Sequence, residues 1–254
     1  MASSIPSVRE LIPIIQKRNY ETATTFQLVH FRISPYLTRI LLMLNISANA
    51  TTLIALLIGL MSVFALVRLV NSPHLVLISA LLFQLHYLFD CSDGEIARFR
   101  KTQSPAGKYA DLFLHLFVYP IFFLSMGWGA TNATGNPYFL LLGGISAVGA
   151  LWYDHLWFDS GPDPASLTPV KMPSVTIAKR KSALTLFIER SSIVWSFPLI
   201  ANVFGLVGVL VSALGSLEPL FWFLWFYGIS YPLFSVFTAW RVHRNLVKTY
   251  AKRS

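Results

Sequence analysis

The chain has 254 residues, of which 55% are apolar and only 12% charged, with a mean hydropathy of +0.59 and a formal net charge of +9. These proportions exclude an ordinary soluble globular domain, in which about a quarter of the residues are charged. The basic excess is scattered over candidate loops and tails with no nucleic-acid-binding module among them, so membrane topology and anionic headgroups account for it and no nucleic-acid partner is expected.

Met1 to Glu10 has no basic stretch leading into an apolar core, so no cleavable signal peptide is expected. Residues 1–44 form an N-terminal region too polar to span a membrane. Val8, Leu11, Ile14 and Ile15 share one helical face, with Arg9, Lys17 and Arg18 around the other. A second helix is expected to start at Ser34-Pro35, where Leu37, Ile40, Leu41 and Leu44 repeat the pattern opposite Arg39. An amphipathic helix along the cytoplasmic membrane surface fits this region best, and packing of that helix on the rest of the protein is compatible with it.

Residues 45–254 are expected to form a six-helix transmembrane domain, making the chain an all-α integral membrane protein. Six apolar segments approach the roughly 20 residues that a span requires: 51–70, 74–88, 112–131, 137–157, 192–214 and 220–240. The second is short unless it continues into the acidic stretch that follows. Turn signals separate the hairpins at Asn71-Ser72-Pro73, Gly135-Asn136-Pro137 and between Gly215 and Pro219. The longest connection, 159–191, opens as a loop and then becomes basic at Lys179-Arg180-Lys181. Of the 20 Lys and Arg residues only Arg68 falls outside the termini and the connections on their side, which places both termini and the acidic stretch in the cytoplasm. The single Cys91 excludes an internal disulfide.

The acidic stretch carries the chemistry. In Asp90-Cys91-Ser92-Asp93-Gly94-Glu95-Ile96-Ala97-Arg98, the residues Asp90, Asp93 and Ala97 share one helical face, with Gly94 beside Asp90. On the next helix Asp111 and His115 lie one turn apart. Antiparallel packing of the two helices would bring these faces together. Carboxylates at a membrane edge are costly without a compensating cation, and hard oxygen ligands select Mg²⁺, Mn²⁺ or Ca²⁺. Gly94 and Gly107 permit close approach of a phosphate, and Arg98 suits its charge.

The run Asp90-x2-Asp93-Gly94-x2-Ala97-Arg98-x8-Gly107-x3-Asp111-x3-His115 resembles the signature of the CDP-alcohol phosphotransferases, D-x2-D-G-x2-A-R-x8-G-x3-D-x3-D. Every fixed position matches except the last, where this chain has His115. Asn49 and Thr52 also match that family's S-P-N-x-x-T opening of the first span, with Ala48 in place of the proline. The resemblance implies transfer of a phosphoalcohol group from a CDP-alcohol donor to an alcohol or phospho-alcohol acceptor with release of CMP, in phospholipid or polar-lipid synthesis. It further implies Mg²⁺ or Mn²⁺ held by Asp90, Asp93 and Asp111, and a CDP pocket of Asn49, Thr52, Gly94, Ala97, Arg98 and Gly107. Membrane lipids and a second copy in a homodimer are the partners it implies. His115 stands where the family has its catalytic base; an imidazole suits that role better than it suits Mg²⁺. Loss of phosphotransfer, leaving a CDP-binding protein or a transporter, is the alternative.

Arg190 and Lys181 are candidates for binding an acceptor phosphate, against a plain topological role for the basic loop. Asp154 and His155 could line the same cavity or simply pair at a helix end. The aromatic residues near the far end of the chain read as an interfacial belt.

Overall fold

Two of the helices run past the limits that the sequence pattern suggested, and that decides where the polar residues stand. The structure, a computed structural model, describes residues 5–16, 25–69, 72–159 and 197–250, without the side chains of 25–28, 153–159, 197–198, 238 and 241–250. Among the described residues all regular structure is helical. In order the helices are α1 (Val8–Ile15), α2 (Thr25–Met43), α3 (Ala48–Val67), α4 (His74–Arg100), α5 (Pro105–Thr134), α6 (Tyr138–Asp159), α7 (Phe197–Leu214) and α8 (Glu218–Tyr250). The stretches Ala48–Val67, His74–Arg100, Pro105–Thr134 and Glu218–Phe237 are each long and apolar enough to cross a bilayer, which makes this a multi-pass membrane protein. Tyr138–Trp152 and Leu199–Leu214 are apolar but shorter.

The helix ends follow from local chemistry. Glu10 accepts from both the backbone N–H and the hydroxyl of Ser7 at 2.8 Å, closing the start of α1 and holding the Glu10 carboxyl below its usual range. Ser47 Oγ accepts from Ala50 N at the start of α3 (3.2 Å). Ser104 Oγ accepts from Gly107 N (3.1 Å) ahead of α5, with Pro105 in the first turn. α4 ends with Lys101 in the left-handed region (φ 54°), its N–H bonded to Arg98 O and that of Thr102 to Ala97 O, the pattern of a Schellman cap. The second apolar segment therefore does continue through the acidic stretch as one 27-residue helix.

The expected helix start at Ser34-Pro35 is corrected: α2 begins ten residues earlier and Pro35 lies inside it. A proline there cannot donate to Phe31 O, one turn back. Gln16 Nε2 donates to Phe31 O instead, at 2.8 Å, so the vacated acceptor is satisfied and the helix passes through.

α3 packs along α4 and against α5, and α6 packs against α5 and α8. Glycines set the closest approaches: a Cβ on Gly129 of α5 would lie 2.1 Å from Leu66 O of α3, and one on Gly127 would lie 2.5 Å from Phe139 O of α6. α4 and α5 are antiparallel neighbours as expected, but they meet through side chains, at Phe83–Phe122, His86–Tyr119 and Asp90–His115, rather than by close backbone approach. Aromatic rings hold them apart: Phe83 of α4 stacks on Phe122 of α5 with centroids 3.9 Å apart, and Tyr119 lies edge-on to Phe83 and His86. Above this layer the gap between the two helices holds the polar residues. A second, smaller core of Leu11, Ile15, Leu41, Leu42 and Ile96 packs α1 and α2 on the end of α4. Eight residues are too few for an isolated helix, so α1 owes its stability to this burial, at about 1.5–3 kcal/mol per side chain.

Candidate active site

The last turns of α4 and the first turns of α5 present their polar residues toward one another across the four-residue turn 101–104. His115 Nε2 lies 3.1 Å from Asp90 Oδ1 and 3.5 Å from Asp111 Oδ1. The Asp90 side chain is only 9% exposed, His115 29% and Asp111 46%, so the cluster runs from a closed inner end to an open mouth. The His115 ring stacks on Tyr119, one turn further along α5, with centroids 4.9 Å apart and planes tilted by 27°. That stack and Asp90 fix the imidazole from two sides.

One ligand atom from each of Asp90, Asp111 and His115 lies within 4.8 Å of the others. Asp90 and Asp111 each place a carboxylate oxygen within 4.8 Å of the other, a like-charge approach that a cation or a shared proton relieves. Two carboxylates at this spacing fit one divalent cation, with bonds of about 2.0–2.4 Å, and the imidazole beside them can either ligate it or stay free to take a proton.

Asp93 stands outside that group. Buried at 7% exposure, it accepts a 2.6 Å hydrogen bond from Thr52 Oγ1 of α3, and it remains within electrostatic reach of Asp90 and Asp111. Asn49, one turn before Thr52 on the same face, is exposed. Ala97 and Gly94 are half-buried beside Asp93 on α4. Arg98 folds back over Gly94, where a Cβ would meet its guanidinium at 3.2 Å, and its Nε donates to Ile15 O at the end of α1 (2.5 Å). At Gly107 a Cβ would make only ordinary contact with Ser104 Oγ (3.4 Å), so protein packing does not require glycine there. Arg190 and Lys181 lie outside the described residues, as do the side chains of Asp154 and His155.

Two contributors were not foreseen. Tyr119 was legible, being the i+4 neighbour of His115 on the same helical face. Glu95 faces away from the Asp90 cluster, fully buried, and accepts from Gln16, Ser34 and Thr38. The i, i+4 spacing of Ser34 and Thr38, two hydroxyl residues on one face of α2, was its sequence signal. An apolar groove of about 650 Å³ lined by Pro137, Leu140, Leu141, Gly144, Val148 and Pro232 includes none of these residues.

Fold and site together define a multi-pass helical membrane protein with an acidic–histidine cluster in a cleft between two helices. Residues 45–213 match the model of the CDP-alcohol phosphatidyltransferase family, and the chain belongs to that family of transferases. Comparison with curated proteins gives no match.

Proposed function

We propose that the protein transfers a phosphoalcohol group from a CDP-alcohol to an acceptor hydroxyl and releases CMP, in the synthesis of a phospholipid or related polar lipid. The observation that carries this reading is the convergence of Asp90, Asp111 and His115 in one cleft, with Asp93 held beside it by Thr52. Asp90, Asp93 and Asp111 would hold Mg²⁺ or Mn²⁺, which when bound would neutralise the donor's diphosphate. His115 is the general base. It takes the acceptor's proton on Nε2, where Asp90 at 3.1 Å and Asp111 at 3.5 Å stabilise the imidazolium. Asn49, Thr52, Gly94, Ala97, Arg98 and Gly107 form the CDP pocket. Protein packing does not require glycine at position 107, where a Cβ would make only an ordinary contact with Ser104 Oγ, and this supports its place against the nucleotide. Arg190 and Lys181 bind the acceptor.

In the same reading α3 to α8 are six spans forming a catalytic domain of residues 45–254. Residues 1–44 are an interfacial region, both termini and the cleft face the cytoplasm, and the working unit is a homodimer. The distribution of Lys and Arg supports the sidedness. A cleft at a membrane face suits a water-borne nucleotide meeting an amphipathic substrate.

The test is a screen of the purified protein against CDP-alcohols and acceptors with Mg²⁺ or Mn²⁺, measuring CMP. Release of CMP dependent on donor, acceptor and cation is expected. CDP binding without CMP release from any donor would instead establish a non-catalytic binding protein or a transporter.

A further inference from the structure

Glu95 lies one residue beyond Gly94 but points to the opposite side of α4, into the N-terminal helices. Its side chain is fully buried. One carboxylate oxygen accepts from Gln16 Nε2 (2.5 Å) and Ser34 Oγ (2.6 Å), and the other accepts from Thr38 Oγ1 (2.6 Å). These donors come from the end of α1 and from successive turns of α2. Gln16 also donates to Phe31 O, the acceptor vacated by Pro35, so one amide group ties α1 to α2 and to α4 at once. A buried carboxyl group is tolerated only when hydrogen-bonded in this way, and loss of such a hub leaves several buried donors without acceptors.

The hub meets the cleft through Arg98. Its Nε donates to Ile15 O, the residue before Gln16, while the rest of its guanidinium lies over Gly94. The end of α1 is therefore gripped twice, by Glu95 through Gln16 and by Arg98 through Ile15. Displacing α1 would free Arg98 to adopt other rotamers.

We propose that Glu95 is a positioning residue that latches α1 and α2 onto α4, and thereby holds the Arg98 guanidinium over Gly94, where the donor's phosphates bind. This rests on the reading of Arg98 as part of the CDP pocket. The latch itself does not.

Two readouts separate these parts: hydrogen–deuterium exchange of residues 8–16 in the full-length protein, and KM against kcat for the CDP-alcohol. For Glu95→Ala, faster exchange in 8–16 is expected with α3 and α5 unchanged. KM should rise roughly tenfold, the loss of about one hydrogen bond to a charged group, while kcat is largely retained. Glu95→Gln, which keeps an acceptor for Gln16 and Ser34, should restore most of both. The double variant Glu95→Ala/Arg98→Ala should be no worse in KM than Arg98→Ala alone. If Glu95→Ala does not fold, Gln16→Leu cuts one arm of the hub and should shift both readouts in the same direction by less. Unchanged exchange in 8–16, a loss confined to kcat, or additive effects with Arg98→Ala would overturn the proposal. If the wild type releases no CMP, the proposed reaction fails by itself. Affinity for CDP then replaces KM, and an unchanged value in Glu95→Ala overturns the positioning role.

Discussion

Replacing His115 with alanine removes the one imidazole between Asp90 and Asp111 and leaves the helix itself undisturbed. The magnitude follows from two parts. As a general base the residue contributes roughly 10²–10⁴-fold to the rate, or about 3–5 kcal/mol of barrier. Its removal also leaves Asp90, 9% exposed, without a neighbour 3.1 Å away, at about 1–3 kcal/mol of stability. A variant that melts slightly earlier and still folds should therefore release CMP at least a hundredfold more slowly, roughly the lower end of that range. His115→Asp supplies a shorter base and a third carboxylate to a cluster that already has two. It should retain part of the activity and half-saturate at a lower cation concentration, since a third carboxylate adds a hard, negatively charged ligand to the cluster. The assay is CMP release from the purified variants over a Mg²⁺ and Mn²⁺ titration, with thermal unfolding as the control. Normal turnover by folded His115→Ala would refute the base assignment.

Asp90→Ala should lose both activity and the response to Mn²⁺, read as Mn²⁺ binding by electron paramagnetic resonance; retained stoichiometric binding would remove Asp90 from the cation site. Thr52→Val deletes the 2.6 Å bond to Asp93 and should lower kcat/KM by about tenfold or more, as expected for a hydrogen bond to a carboxylate. An unchanged kcat/KM would show that Asp93 needs no orientation from α3. Gly129→Ala puts a Cβ 2.1 Å from Leu66 O and should destabilise by about 1–3 kcal/mol, seen as a lower melting midpoint; a melting curve equal to the wild type would show that α3 and α5 can separate freely.

Much of the site was legible because helical periodicity is a local property. Once Asp90, Asp93, Asp111 and His115 were assigned to helices, their facing followed from spacing alone, and His115 does meet Asp90. The apolar lengths of α3, α4, α5 and α8 were legible for the same reason. What the sequence hid depends on contacts between distant residues. Pro35 read as a helix start because nothing near it shows that Gln16 will satisfy Phe31 O. Glu95 read as a spacer within a motif because its partners lie 57, 61 and 79 positions away. The aromatic spacer between α4 and α5 was hidden too, since nothing in either helix alone shows that Phe83 will stack on Phe122.

Those rings have a consequence for substrate range. The cleft is bounded below by side-chain thickness and on its walls by backbone, so its depth and its ligands are set by different residues. Trimming Phe122 would lower the floor of the cleft while leaving Asp90, Asp93 and Asp111 on the same helical turns and the Tyr119 ring against His115. A bundle built this way can admit larger or smaller acceptors by changing Phe122, an apolar residue outside the charged cluster.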